Sequence, residues 1–328
     1  MAGLTLLAAF LLVVIAFWTE HAVWESLNDM LAEKMRSILD ADVAALDLWI
    51  KTEKAEVKSW AKSEPVRRLA GELASMALGG GDVREALVRS PAQTALRAAL
   101  HPGVQEIDDR GYLLFDPAGR VLAAQKDSLV GLRLTPAGMA MMAEVFEEEV
   151  SIFKPFMPET LVAEYGRELN EPFLASAALV HDGEGETIAV LTFLLDPEEN
   201  FTRILSVARL GQTGDTYVFD RNGLMLSDSR FEEQLMEIGL IPNTPDARSI
   251  LHVQIRDPGG DLTRGYRSDA PLAALPFTRM AAAAISGQDG MDLKGYRDYR
   301  GVRVIGAWRW LPEMRLGIAT EVGVGQAF

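Results

Sequence analysis

The short run Phe153-Lys154-Pro155-Phe156 sets one cation among aromatic side chains. An ammonium in that setting can hold a carboxylate as a point charge, without the two-pronged fork an arginine would offer. Tyr112, Phe153, Phe156, Phe173 and Phe193 could line the apolar part of such a pocket. Small-molecule sites are mostly apolar, with a few placed polar groups. Each of these aromatics fits plain core packing equally well, and spacing alone does not choose between the two.

Other chemistry finds little support. The sequence has no Gly-x-Ser-x-Gly, no Walker A and no His-Glu-x-x-His motif. Gly79-Gly80-Gly81 lacks the Lys-Ser/Thr that a phosphate loop needs, and it follows helix rather than strand. His21, His101, His181 and His252 are scattered without ligand spacing. There is no cysteine, which excludes disulfides, thiolate metal sites and cysteine nucleophiles. Neither an enzyme nor a metal or cofactor site is expected. The formal charge of −15 repels nucleic acid and anionic bilayer surfaces. The acidic runs Glu147–Glu149 and Glu198–Glu199 read as solvated faces, and Met139, Met141 and Met142 read as core.

The elements that must position the candidate residues begin with Leu4–Trp18, apolar but for one threonine. As a helix this run is just long enough to cross a thin hydrocarbon core. Trp18 and Trp24 fall where interfacial tryptophans are favoured. A cleaved signal peptide is the rival reading. It would want basic residues before Leu4 and a small-x-small site in place of Phe17-Trp18-Thr19-Glu20. The expectation is therefore a membrane anchor over 1–19. From Glu20 to Ala77 apolar residues recur every three or four positions, through Val23, Leu27, Leu31, Met35, Ile38, Leu46, Ile50 and Val57. That is a helical stripe, with Pro65 ending or bending it. A helix from the membrane to Ser63 would be roughly 65 Å long, more than one small domain covers. It spans stacked domains, pairs with a copy of itself as a homodimer, or does both.

Two hairpin-like stretches echo each other. Gly111-Tyr-Leu-Leu-Phe-Asp116-Pro-Ala-Gly119 lies over Gly214-Asp-Thr-Tyr-Val-Phe-Asp220-Arg-Asn-Gly223, with Phe115 on Phe219, Asp116 on Asp220 and Gly119 on Gly223. One hairpin used twice suggests one small domain used twice. Between them fall a short helix over Pro136–Glu148 and a strand over Val150–Phe156, stopped by Pro155 and Pro158. Two β-type runs, Pro172–Val180 and Thr187–Asp196, surround a turn at His181–Gly185. A linking helix over 197–210 follows, with Asp196 as its N-cap. The second copy closes on two strands flanking Leu311–Met314. The expected fold class is α+β: membrane helix, long stalk helix, then two PAS-like modules, each with an antiparallel sheet. The boundaries read as 20–77 stalk, 78–196 distal module, 197–210 link and 211–328 proximal module.

That order resembles the double-Cache, tandem PAS-like sensor domain of bacterial transmembrane receptors. The most specific pieces are Arg209-Leu-Gly-Gln-Thr-Gly-Asp-Thr-Tyr-Val-Phe-Asp220 and Tyr296-Arg-Asp-Tyr-Arg-Gly-Val-Arg-Val-Ile-Gly-Ala-Trp308, and the likeness covers about Thr19–Phe328. It implies a bacterial inner-membrane location, with the bulk facing the periplasm or exterior. It implies a small-molecule ligand in the distal module and a kinase, cyclase or methyl-accepting output beyond a second membrane helix. The sequence stops at Gly323–Phe328, where that helix would start. A solute-binding protein, tethered or secreted, is the alternative. Amino-acid-sensing members carry an aromatic, an Arg-x-Trp element and an acidic residue; the acidic residue falls on Asp196. The Arg-x-Trp element has no counterpart, and Lys154-Pro155-Phe156 is the nearest substitute. An organic acid or an amine-containing metabolite is the expected ligand class. The implied site is Tyr112, Phe153, Lys154, Phe156, Phe173 and Asp196.

Overall fold

The structure is a computed structural model describing residues 2–79, 82–106, 110–164, 171–208 and 210–327. Gly80, Gly81 and Arg209 lie outside them. The chain starts on one 61-residue helix, α1 (Ala2–Lys62). No glycine or proline falls between Leu4 and Lys62, so nothing in the sequence interrupts the backbone ladder. Its N-terminal part is bare: Phe17 and Trp18 are 70% and 75% exposed. Among the described residues one helix is long and apolar enough to cross a membrane, and it is α1. Further along, Met35, Leu39, Leu46, Val57 and Ala61 are buried, the i, i+4, i+7 stripe of a helix laid against a folded body. Ser63 is extended, and α2 (Glu64–Ala77) restarts with Pro65 in its first turn, where a missing N–H costs nothing. Helices α3 (Val83–Arg89) and α4 (Pro91–Glu106) follow, α4 packing on α2.

The first sheet contains β1 (Tyr112–Phe115), β2 (Val121–Ala124), β3 (Val150–Phe156), β4 (Phe173–His181) and β5 (Thr187–Leu195). All neighbours are antiparallel, in the order β2-β1-β5-β4-β3. Helices α1 and α2 pack on it, and α5 (Pro136–Glu148) contacts β3 and β4, followed by the one-turn α6 (Pro158–Leu161). Because helices cover it, β4 and β5 are buried almost end to end, which explains their unbroken apolar runs. The strand runs over Val150–Phe156, the span its sequence suggested. β3 is the sheet's edge, and a bulge between Phe153 and Phe156 absorbs the proline, which has no N–H to give.

The second sheet repeats the plan with one strand fewer. β6 (Asp215–Phe219), β7 (Gly290–Arg297), β8 (Arg303–Leu311) and β9 (Leu316–Gly323) run in the order β6-β9-β8-β7. Substituting β1, β3, β4 and β5 for them gives the first sheet without β2. The partner strand expected after Gly223 is reduced to isolated bridges, Phe219 to Met225 and Leu224 to Gln254. Met225 instead exchanges backbone hydrogen bonds with Val253 and Leu251, each at 2.8 Å. The linking helix is also shorter than expected: a π-helical turn over Glu198–Thr202, then α7 (Arg203–Ser206). The remaining helices are α8 (Glu232–Glu237), α9 (Arg279–Ile285) and α10 (Val324–Ala327).

The echo between the two copies is a turn device used four times. Asp116 Oδ1 accepts hydrogen bonds from the backbone N–H of Ala118 and Arg120, and Asp220 Oδ1 from those of Asn222 and Leu224. Asp182 and Asp298 do the same for Glu184 and Glu186, and for Arg300 and Val302. In each case a glycine three residues after the aspartate takes a positive φ: Gly119, Gly223, Gly185 and Gly301. At Gly301 the requirement is also steric, since a Cβ there would lie 1.9 Å from the carbonyl oxygen of Gly260. Gly301→Ala is expected to cost about 3 kcal/mol, visible as a lower urea midpoint with an unchanged slope. An unchanged midpoint would mean the 259–261 loop yields freely.

Candidate functional site

A well-formed hollow of about 400 Å³ lies where α1, the first sheet and the second sheet meet. Helices α1 and α5, strand β3 with Leu174 of β4, the π-helical turn and the β8–β9 turn running into β9 build it. From α1 come Asp47, Trp49, Ile50 and Lys54; from β3, Ile152 to Phe156; from α5, Met141, Glu144 and Glu148. The π-helical turn adds Phe201, and the turn between β8 and β9 adds Glu313 to Leu316. That volume suits a small metabolite.

Its walls follow from local structure. α5 ends at Glu149 in a positive-φ conformation (φ 63°) that turns the chain sharply into β3. Lys58 on α1 meets the Glu149 carboxylate at 3.2 Å and holds that carboxyl below its ordinary range. The bulge then presents Phe153, Lys154 and Phe156 together at the cavity. Opposite them, Trp49 packs against Phe201 with ring centroids 5.9 Å apart. The Lys154 ammonium donates to the backbone carbonyl of Arg315 at 2.7 Å, tying the edge of the first sheet to a turn of the second. Burial works against its charge and lowers its pKa.

Of the six residues read from the sequence, the fold brings Phe153, Lys154 and Phe156 into this cavity and places Tyr112, Phe173 and Asp196 elsewhere. Tyr112 is buried on β1, in register with Phe193 on β5, and burial raises its phenol above the ordinary value. Phe173 is fully buried and meets Phe156 edge-on at 6.4 Å, so it backs the cavity wall without facing it. Asp196 Oδ1 accepts the backbone N–H of Glu198 at 2.8 Å. Its other oxygen is held by the Arg110 guanidinium, which also reaches Glu171 at 2.7 Å. A carboxylate so engaged is a structural clamp at the end of the sheet. Trp49, Phe201, Glu144 and Arg315 were not singled out by the sequence reading. Trp49 had one available signal, a tryptophan beside the buried stripe of α1 at Leu46.

A second hollow lies between α5 and the face of the first sheet, lined by Phe115, Met142, Val145, Phe153, Leu161 and Val190 among others. It is about 20 Å³, enough for little more than one water. Among the described residues no group of three or more His, Cys, Asp or Glu is arranged to hold a metal ion.

No protein-family model matches the chain. No curated protein matches it either. Solved structures do. The sensor domain of the Vibrio cholerae histidine kinase DctB is 15% identical, with 92% of this chain and 98% of that one aligned and a TM-score of 0.50. The ligand-binding domain of the Campylobacter jejuni chemoreceptor Tlp3, in complex with 4-methylisoleucine, is 12% identical over 92% and 94% of the two chains, at a TM-score of 0.53. The same domain with L-norvaline gives the same values. At such identities the likeness speaks to fold, and it agrees with the repeated sheet order and the long leading helix. The chain therefore has the double-Cache, tandem PAS-like fold of bacterial sensor domains.

Proposed function

We propose that this chain is the extracytoplasmic ligand-sensing region of a transmembrane signal-transduction receptor. Residues 1–19 anchor it in the inner membrane, 20–77 form the stalk, and 78–196 and 211–328 are the distal and proximal modules joined by 197–210. The observation that carries the reading is the continuity of α1, which runs unbroken from the bare apolar stretch around Trp18 to Trp49 and Lys54 at the cavity. At about 1.5 Å per residue, one rigid rod spans the roughly 45 Å between them. A ligand that changes how α1 sits against either module must move the rod's far end. Phe153, Lys154 and Phe156 contact the ligand in this reading, and Tyr112, Phe173 and Asp196 hold the sheet that presents them. Val23, Leu27 and Met30 are exposed at i, i+4 and i+7 on the stalk and form the contact between two copies. The output is a cytoplasmic domain carried outside this sequence.

The test uses the 328-residue chain in lipid nanodiscs. With no native cysteine, Met30→Cys gives each copy a single thiol. A compound from a broad metabolite panel that raises the melting temperature should also change the rate of disulfide cross-linking at that position. Stabilisation without a change in cross-linking would remove the stalk from the mechanism. A panel with no stabilising compound would remove sensing by direct contact.

A further inference from the structure

Cavity size and charge together say more about where a ligand sits and what kind it is. The hollow on the face of the first sheet is nearly filled, whereas the junction between the modules is open. Two carboxylates at that junction are already neutralised. Asp47 meets Lys51 at 2.6 Å, and Glu148 meets Lys54 at 3.5 Å. Lys154 is different. It is half-buried, its one hydrogen bond goes to a neutral carbonyl, and among the described residues no carboxylate lies within ion-pair distance of it. An ammonium has three N–H groups, so two still want acceptors in a place from which water is partly excluded. Arg315, whose carbonyl takes the third, also lines the cavity and is likewise in no ion pair among the described residues. Glu144 and Glu313 line the same hollow; Glu313 is exposed on the turn and Glu144 half-buried on α5. The remaining wall is apolar, and Trp49, Phe153, Phe156 and Phe201 are its aromatic part.

We propose that the cleft between the two modules binds an amphipathic monocarboxylate. Its carboxylate lies between Lys154 of β3 and Arg315 of the β8–β9 turn, and its apolar body lies against Trp49 and Phe201. This deepens the sensing reading above and rests on it. The bound anion replaces a single Lys154-to-carbonyl contact by a bridge with a cation on either side, so ligand and inter-module distance are linked. Because Trp49 belongs to α1, the same ligand also touches the stalk.

The test is isothermal titration of the full chain in nanodiscs with phenylacetate and 4-methylpentanoate, each against its uncharged amide. Loss of a charge-assisted hydrogen bond should weaken binding by about tenfold or more, so the amides should bind at least that much more weakly. Lys154→Met and Arg315→Gln should each lower carboxylate affinity towards the amide level, and Lys154→Arg should restore most of it. A melting temperature unchanged in the absence of ligand separates loss of the site from loss of the fold. Equal affinity for acid and amide overturns the proposal, as does wild-type carboxylate binding by a well-folded Lys154→Met, Arg315→Gln double variant. Failure of both acids to bind also overturns it. In that last case the wider metabolite panel decides whether sensing falls with it: another compound that shifts the melting temperature leaves sensing standing with a different ligand.

Discussion

Arg300→Met is expected to lower the stability of the chain by about 3–5 kcal/mol, because it strands a buried carboxylate. Arg300 is 5% exposed and Asp298 1%. The guanidinium donates to Asp298 Oδ2 through Nε at 2.9 Å and Nη2 at 2.7 Å, and through Nη1 to Gln234 at 2.8 Å. Its carbon stands 3.6 Å from the centre of the Phe231 ring, a close cation–π contact. Burial opposes the charge of Arg300, and the Asp298 carboxylate outweighs it, raising the guanidinium above its ordinary value. Methionine fills similar space but leaves Asp298 without its cation and Gln234 and Phe231 without theirs. The double variant Asp298→Asn, Arg300→Met keeps an oxygen for the turn N–H groups of residues 300 and 302 and removes the stranded charge. It should recover a large part of the loss. Equilibrium urea unfolding of the single and double variants decides the matter. A double variant no better than Arg300→Met alone would show that the cost lies in the Phe231 contact and the packing around it.

The second large effect is a fall in stability as pH rises through neutrality. Glu321 on β9 is buried and accepts the hydroxyl protons of Tyr217 at 2.8 Å and Tyr296 at 2.6 Å. Burial, reinforced by nearby Asp298, pushes its carboxyl up to about 8, although the two tyrosines and Arg300 pull the other way. Three other carboxyls are pushed up to about 7, mainly by burial: Asp42 and Glu53 on α1, and Glu232 on α8. In each case the native state keeps a proton that the unfolded chain has already released. The stabilisation is therefore complete below the unfolded values, 3.8 for Asp42 and 4.5 for the three glutamates, and is lost as pH rises through the folded ones. Each such proton contributes a slope of at most about 1.4 kcal/mol per pH unit. Glu321 keeps its proton to the highest pH of the four, so Glu321→Gln should make the whole fall shallower and remove its largest share above about pH 7. Calorimetric melting temperatures from pH 5 to 9 test this. A variant whose curve parallels the wild type above pH 7 would sink the assignment to Glu321. Since Asp42 and Glu53 are buried on the side of α1 that packs on the two sheets, part of the same fall reflects looser seating of α1.

Much of the architecture was legible because it rests on local chemistry. The absence of glycine and proline between Leu4 and Lys62, with an apolar residue every third or fourth place, leaves a long helix with little competition. The Asp-x-x-Gly turns marked the repeat because an aspartate oxygen can satisfy two backbone N–H groups only when the chain reverses through a positive-φ residue. Two local readings went astray for tertiary reasons. Leu224-Met225-Leu226 has a strand's composition, but Met225 found its backbone partners in Val253 and Leu251, from a loop inserted in the second copy alone. The linking segment looked helical over 197–210, yet it is helical only from Glu198 to Ser206, and its π-helical turn carries Phe201 to its place against Trp49.

The candidate site was half legible. Phe153, Lys154 and Phe156 declared themselves as a cation among aromatics on one strand, and they do share a cavity. Asp196 looked equally available, but an arginine 86 positions away claims it. By itself the sequence determined the two copies, their strands and turns and the long helix, because each depends on residues within a few positions of one another. Only the tertiary structure decided where the open space lies. That space is bounded by Trp49, Lys154, Phe201 and Arg315, and the contact closing it joins residues 161 positions apart. Cavity volume and unpaired charge are properties of chains brought side by side, and no local pattern encodes which distant carbonyl a half-buried lysine will meet.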